Sequence, residues 1–205
     1  MNTRLFKQGL QGMGVLCAAS WLVACNSLPG AASRAAPSTL KAASGANLAS
    51  CETLVDALQL PHTRLESAVR VDAGVLKQAD RAVPAHCRVL GRMHERKGSD
   101  GRDYAIGFEM RLPLVWNGRF YYQGNGGLDG AVVPALGALG GGPLTGALMQ
   151  GFAVISSDAG HSGPQTTVFG LEPQARLDYG YQAVQKLTPM AKQLIAGAYG
   201  KGPDR

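Results

Sequence analysis

The stretch that decides the fold is Arg119-Phe-Tyr-Tyr-Gln-Gly-Asn-Gly-Gly-Leu-Asp-Gly130, in which a short apolar segment runs directly into a glycine-rich turn. Closely spaced glycines permit positive φ angles and leave backbone N–H groups uncovered by side chains. At the end of a buried strand, such a turn presents amides either to a phosphate or to the oxyanion of an acyl-transfer intermediate. A flexible surface turn is the alternative that the spacing alone leaves open.

The spacing excludes the two common phosphate-binding motifs. A dinucleotide-binding turn requires Gly-x-Gly-x-x-Gly, but the third glycine position counted from Gly124 is occupied by Asp129. A Walker loop requires Gly-Lys followed by Ser or Thr, whereas Gly202 follows Lys201. Hydrolases of the α/β class carry a glycine-rich turn after their third strand, so an oxyanion loop and a flexible surface turn are the two interpretations that remain.

The N-terminus is predicted to be an export signal. Arg4 and Lys7 precede an apolar run over residues 9–24 that is too short to span a bilayer comfortably. The run ends in Leu22-Val-Ala-Cys25, which resembles a bacterial lipoprotein signal with Cys25 as the lipidated residue and membrane anchor. An ordinary secretory signal is the alternative. The protein is therefore expected to be a periplasmic or outer-membrane lipoprotein, or to be secreted.

Composition divides the chain into three parts. After the signal peptide over residues 1–25, residues 26–50 are rich in Ala, Ser and Pro and are predicted to form a flexible tether. Residues 51–205 are long enough for one hydrophobic core but not for two.

Cysteine use favours a disulfide. Cys51 and Cys87 are the pair that remains in the exported domain once the signal and the lipid site are set aside. The alternative is a metal pair, but two cysteines without a clustered set of histidines make a poor metal site. Closing this loop stabilises a fold by about 3–4 kcal/mol on the chain-entropy view.

The charge does not indicate nucleic-acid binding. The formal net charge of +6 includes the signal and tether, and the local basic cluster, residues 92–97, lacks interleaved aromatic residues.

The order of predicted elements is that of an α/β fold. It begins with a short helix over Cys51 to Leu60 and a hairpin of Cys87 to Glu95 with Tyr104 to Leu112. It continues with a strand at Phe120 to Gln123, a short helix near residues 144–150, a buried strand over Phe152 to Ser156 and a helix over Asp178 to Tyr199. This order predicts the N-terminal half of an α/β-hydrolase fold, an antiparallel hairpin leading into a mostly parallel sheet with flanking helices.

Four motifs carry a family resemblance. They are Pro113-Leu-Val-Trp-Asn-Gly-Arg-Phe120, Gln123-Gly-Asn-Gly-Gly-Leu-Asp-Gly130, Gly151-Phe-Ala-Val-Ile-Ser-Ser-Asp-Ala-Gly-His161 and Asp178-Tyr-Gly-Tyr181. Together they resemble the N-terminal part of the tannase and feruloyl esterase family, which includes esterases of mono-hydroxyethyl terephthalate. The resemblance covers residues 51–205, and Gln185 stands where many members have histidine.

The resemblance implies a serine esterase whose Cys-Ser-x-Gly-Gly nucleophile strand follows the long helix. The sequence ends at Arg205, where that strand is expected to begin, so the triad, the lid and the calcium site that some members carry in the lid are expected to be missing. The expected contribution of this chain is an oxyanion donor, the backbone N–H of Gly126 or Gly127. No cofactor is expected within it.

Asp129, Asp158 and His161 are predicted to be pocket or structural residues, the last two through a carboxylate cap and an imidazole hydrogen bond. Gly160-His161-Ser162-Gly163-Pro164 falls short of Gly-x-Ser-x-Gly because Pro164 replaces the final glycine. Adjacent side chains also seldom form a serine–histidine pair. A metal role is not favoured, since the other histidines are scattered in sequence.

The resemblance therefore implies a fragment of a serine esterase for aromatic esters, such as hydroxycinnamates or gallates, that is inactive alone. The alternatives are a non-catalytic exported binding lipoprotein and a small hydrolase that uses Ser162 with His161. The half-fold is expected to be poorly stable, because the strand over Phe152 to Ser156 is predicted to have one unpaired edge.

Overall fold

The computed structural model describes residues 42–138, 145–163 and 167–204. The predicted signal peptide, Cys25 and residues 26–41 of the predicted tether lie outside the described residues. Residues 42–50 belong to the predicted tether in the sequence, yet Ala46 and Asn47 form a strand that pairs with Val115 and Trp116. The folded part therefore begins before Cys51.

The described strands are β1 Ala46–Asn47, β2 Thr63–Val71, β3 Lys77–Gln78, β4 Arg81–Ala82, β5 His86–Lys97, β6 Asp103–Pro113, β7 Val115–Trp116, β8 Phe120–Tyr122 and β9 Ala153–Ser157. The described α-helices are α1 Leu54–Ala57, α2 Pro173–Leu177 and α3 Ala183–Tyr199, with 3-10 turns at Leu148–Gln150 and Val168–Leu171. A π-helical turn, Asp178–Gln182, joins α2 to α3. No helix among these residues has the length and apolar character that a membrane span requires.

The central sheet is mixed, with the order β2-β5-β6-β9-β8. The predicted hairpin is present as β5 and β6, but β2, which pairs antiparallel with β5, was not predicted. The expectation of a mostly parallel sheet is wrong for the described residues, since β9 runs antiparallel to β6 and parallel only to β8. The architecture is a mixed α/β sheet with few helices.

The prediction of an unpaired edge on the strand over Phe152 to Ser156 is wrong. β9 pairs on both sides, with β6 at Arg111–Val154 and with β8 at Tyr121–Val154. The edge strands of the described sheet are β2 and β8, so the open edge next to β9 belongs to β8.

The core lies between α3 and one face of the hairpin. Alternate residues of β6 supply the sheet side, and their side chains are buried: Tyr104, Ile106, Phe108, Met110 and Leu112. Leu187, Leu194 and Ile195 of α3 are fully buried against this face. Val184 of the same helix is 49% exposed. Gly200, at φ 73°, ends the helix.

A buried polar network covers part of the opposite face of β6. Arg111 Nε donates to Glu109 Oε1 at 2.6 Å, and Arg111 Nη1 lies 2.8 Å from His86 Nε2. Because the guanidinium only donates, His86 Nε2 accepts and His86 Nδ1 donates to the Pro84 carbonyl at 2.7 Å. Burial lowers the pKa of His86, which keeps this imidazole neutral.

The predicted disulfide is confirmed. Cys51 and Cys87 are bonded with their Cα atoms 5.5 Å apart, and both side chains are buried. The bond attaches the chain just before α1 to the second residue of β5.

Candidate active site

Two loops meet where the parallel strands β8 and β9 end. The glycine-rich loop, residues 124–130, follows β8, and the turn over residues 158–161 follows β9. Parallel strands place their carboxyl ends at the same edge of a sheet, which is where ligands bind in open α/β sheets. The loops are joined directly, because Gly130 N donates to the Asp158 carbonyl at 3.1 Å and Gly163 N donates to the Gly130 carbonyl at 3.1 Å.

The predicted oxyanion donors lie at the exposed tip of the glycine-rich loop. Gly126 and Gly127 are solvent-exposed, and their N–H groups have no acceptor among the described residues. A Cβ at either position would meet no atom within 4 Å, so the space in front of the loop is open. Gly127 has φ 66°, a conformation that favours glycine.

Two side chains fix this loop, and the sequence did not identify either of them. Asn125 Nδ2 donates to the Ser157 carbonyl at 2.6 Å, at the end of β9. The Tyr179 hydroxyl donates to the Gly127 carbonyl at 3.1 Å. Both bonds leave the amides of Gly126 and Gly127 uncovered. The available signal was that Asn125 and Tyr179 lie within two of the quoted motifs.

Asp158 joins three segments: its own turn, β6 and, through its carbonyl, the glycine-rich loop. Its Oδ1 accepts from the amides of Gly107 and Gly160, each at 2.9 Å. A Cβ at Gly107 would lie 2.6 Å from Asp158 Oδ2, so glycine is required for this close approach. Burial raises the pKa of Asp158 to about 6, against the lowering effect of the two amides.

His161 is buried and stacked. Its ring lies 3.6 Å from the Phe169 ring, centroid to centroid, and edge-on to Tyr179 at 5.8 Å. Neither ring nitrogen meets strict hydrogen-bond geometry with a described residue, although the Leu128 backbone lies close enough to interact with the ring as a hydrogen-bonding group. The imidazole hydrogen bond therefore stays a prediction. Burial lowers the pKa of His161, and the interaction with the Leu128 backbone partly opposes this.

Ser162 and His161 do not form a catalytic pair in this arrangement. Ser162 is exposed and lines a different cleft, with Arg102 and Phe169, whereas His161 is almost fully buried. A Cβ at Gly130 would lie 3.0 Å from His161 Nε2, so that nitrogen faces the glycine-rich loop.

A small cavity lies beside the glycine-rich loop. Its lining comes from both loops, from β8 and from the start of α3, and includes Tyr122, Asn125, Asp129, Ser157, Tyr179 and Val184. Asp129, at φ 53°, has one carboxylate oxygen that is buried without a partner among the described residues. Burial raises the pKa of Asp129.

One wall of the cavity includes a buried carboxylate that is paired with basic side chains. Asp178, which is 1% exposed, accepts from Lys186 Nζ at 2.6 Å and lies 3.4 Å from Arg96 Nη2. A Cβ at Gly160 would lie 2.6 Å from the Asp178 Cβ, so the turn after β9 rests directly on this residue. The described residues contain no group of three or more His, Cys, Asp or Glu side chains positioned for a metal ion.

Comparison with known proteins identifies the family. Residues 87–205 match the family described as tannase and feruloyl esterase, which is more than half of the 205 residues. The chain belongs to the tannase and feruloyl esterase family. In this member of the tannase and feruloyl esterase family, the matched region runs from the second residue of β5 through β9 and α3 and includes both loops.

Similar proteins include enzymes from bacteria and fungi. The chain is 38% identical over 173 residues to the mono(2-hydroxyethyl) terephthalate hydrolase of Piscinibacter sakaiensis, covering 78% of this chain and 29% of the relative. It is 33% identical over 94 residues to feruloyl esterase B of Aspergillus niger, covering 46% and 17%. The crystal structure of feruloyl esterase B from Aspergillus oryzae superposes with a TM-score of 0.60 at 27% identity, covering 75% and 30%. The chain therefore spans less than a third of the length of these relatives.

Proposed function

We propose that this chain forms the oxyanion-binding part of a serine carboxylic-ester hydrolase for aromatic esters, and that polypeptide outside these 205 residues supplies the nucleophile. The observation that carries the proposal is the exposed, unpaired amides of Gly126 and Gly127 at the end of a parallel strand. Family membership and the names of the relatives supply the substrate class.

In the proposed reaction a serine Oγ attacks the ester carbonyl, and the carbonyl oxygen gains negative charge. The N–H of Gly126 or Gly127 donates to that oxygen, and the amide that follows the serine donates the second bond. A preformed donor of this kind stabilises the transition state by about 3–4 kcal/mol. Asn125, Tyr179 and Asp158 hold the loop in position, so the amide does not have to reorganise during the reaction.

The geometry of the described residues favours an external nucleophile over Ser162. A nucleophile and its base must lie within hydrogen-bond reach of each other, but Ser162 is exposed and lines a different cleft from the cavity beside the glycine-rich loop, whereas His161 is almost fully buried. The purified chain is therefore expected to hydrolyse methyl ferulate, methyl gallate and mono(2-hydroxyethyl) terephthalate no faster than its Ser162→Ala variant. Hydrolysis that is lost in Ser162→Ala would instead favour the self-sufficient hydrolase.

A second experiment tests the oxyanion role. The chain is fused to the portion of a family relative that follows the matched region, and esterase activity is measured for Gly126→Pro and Gly126→Ala. Proline removes the N–H, whereas alanine keeps it and places its Cβ in open space. Gly126→Pro is expected to lower kcat by about 10²–10³-fold if Gly126 is the donor, and Gly126→Ala by much less.

Gly127 is the other candidate donor. Esterase activity is therefore also measured for fusions in which the backbone amide of Gly126 or of Gly127 is replaced by an ester, which removes the N–H without adding a proline ring. Full activity in both analogues would contradict the oxyanion role. A fusion that stays inactive while binding aromatic acids would favour the binding-lipoprotein alternative.

The lipid anchor at Cys25 is a separate proposal, tested by mass spectrometry of the exported protein for a diacylglyceryl cysteine.

A further inference from the structure

Away from the candidate active site, the fold brings together two histidines that the sequence separates. The rings of His62 and His94 stack with their centroids 4.9 Å apart and their planes 18° apart. His62 lies just before β2 and His94 lies within β5, and the His94 amide donates to the His62 carbonyl at 2.9 Å. The pair is thus held by the backbone as well as by ring contact.

The backbone at both histidines is strained. His62 and His94 each have φ 51°, in the left-handed region that costs a residue with a side chain about 1–2 kcal/mol. A β-bulge lies at the same place, since the pairing of β5 with β6 shifts register between Met93 and Arg96. Bulges re-aim side chains, and strain of this kind concentrates at functional positions. Here both strained residues are histidines, their rings are in contact, and the bulge includes one of them.

The pair borders an open cleft whose other walls are mostly apolar. The lining includes the thioethers of Met93 and Met190, with Lys186 and Gln193 at the polar side. Lys186 donates to the buried Asp178 carboxylate at 2.6 Å, which partly offsets the positive charge of Lys186 beside His94. His62 is exposed and His94 is half-buried, which leaves the pair accessible from solvent.

We propose that His62 and His94 form a binding site for a late first-row transition metal ion, with Cu(II) bound more tightly than Zn(II). Two imidazole nitrogens on one ion, each about 2.0–2.1 Å from it, lie about 3–4 Å apart. Rings with centroids 4.9 Å apart supply that separation after rotation about the Cβ–Cγ bonds. Imidazole binds copper and zinc, and the order of affinity for a nitrogen site places Cu(II) above Zn(II).

The ligand set explains the choice of metal. The described residues hold no third His, Cys, Asp or Glu at the pair, so water completes the coordination. Magnesium and calcium, which require oxygen ligands, are not expected to bind here.

The test is a Cu(II) titration of the purified chain, followed by calorimetry and electron paramagnetic resonance. The expected result is one equivalent bound with a spectrum of two coordinated nitrogens. His62→Asn and His94→Asn are each expected to weaken binding by roughly tenfold or more, since loss of even an outer-shell partner costs about 10–100-fold. Asparagine is chosen because it tolerates the left-handed backbone, so the fold is kept.

The His62→Asn/His94→Asn double variant is the matched control, because it retains His86, His161 and the N-terminus. Copper binding by the double variant that equals binding by the parent chain would overturn the proposal. A second measurement needs no variant: Cu(II) is expected to protect His62 and His94 from carbethoxylation by diethylpyrocarbonate, mapped by mass spectrometry. Equal modification with and without Cu(II) would also overturn it.

Discussion

At the scale of single residues, Asp158 is the clearest link between the site and pH. Its Oδ1 accepts from the Gly107 and Gly160 amides, yet burial raises its pKa from 3.8 to about 6. The folded state therefore holds this proton more tightly than the unfolded state does. Stability contributed by the protonated group is present below about pH 4 and is lost as pH rises through about 6. The full cost at neutral pH is up to about 3 kcal/mol, at about 1.4 kcal/mol for each pKa unit.

Asp158→Asn is expected to remove this pH dependence. Asparagine keeps a carbonyl oxygen for both amides but does not ionise, so the variant should be more stable than the parent chain at pH 7.5 by about 1–3 kcal/mol and similar at pH 4. The stability at each pH is measured by urea unfolding at low protein concentration, followed by Trp116 fluorescence.

Asp204 is the control, because its pKa shifts in the opposite direction: the Ser44 amide and Lys201 lower it to about 2. Asp204→Asn should lose stability at pH 7.5, and a parallel gain in both variants would contradict the argument.

At the scale of elements, strands in which apolar and polar residues alternate regularly are predictable from the sequence. A strand whose alternation is interrupted is not. β6 alternates without interruption and was identified correctly. β2 contains a bulge between Leu65 and Ser67, so Leu65 and Ala68 pack on the core at a spacing of three. A period-two pattern does not detect such a strand.

The same limit applies to the candidate site. The glycine-rich loop was identifiable because its glycines are adjacent in sequence. The bonds from Asn125 and Tyr179 to the loops, and the stacking of His62 on His94, depend on strands and helices that meet only in the folded chain. Local sequence pattern contains no information about these distant pairs.

The disulfide yields the prediction at this scale. Cys51–Cys87 closes a loop with a sequence separation of 36, for which the chain-entropy relation gives about 4 kcal/mol. The double variant Cys51→Ala/Cys87→Ala is expected to unfold at lower urea, with a loss of about 2–4 kcal/mol. Dithiothreitol should shift the parent chain toward the same midpoint and leave the double variant unchanged. An effect of the reductant on the double variant would show that another group is responsible.

At the scale of the whole molecule, one of the exposed apolar surfaces lies next to the candidate active site. β8 is an edge strand of the described sheet, and Tyr121 within it is 43% exposed. Val184 of α3, 49% exposed, lines the cavity beside the glycine-rich loop together with Tyr122. An unpaired strand next to apolar side chains favours pairing with further polypeptide. The proposed nucleophile-bearing segment is expected to cover this surface.

The chain alone is therefore expected to associate with itself and to bind a hydrophobic dye strongly. Val184→Lys should reduce dye binding and association, because it places a charge on the exposed apolar surface. Val69→Lys is the matched control, since Val69 is 47% exposed on β2 at the opposite edge of the sheet. The portion of a family relative that follows the matched region, added as a separate polypeptide, should suppress dye binding by the parent chain. The decrease in dye binding should be smaller for Val184→Lys. Dye fluorescence and analytical ultracentrifugation measure these effects. A dye-free monomer with a sharp cooperative melt would contradict the assignment of β8 and α3 as a surface that further polypeptide covers, and would favour an independent binding module.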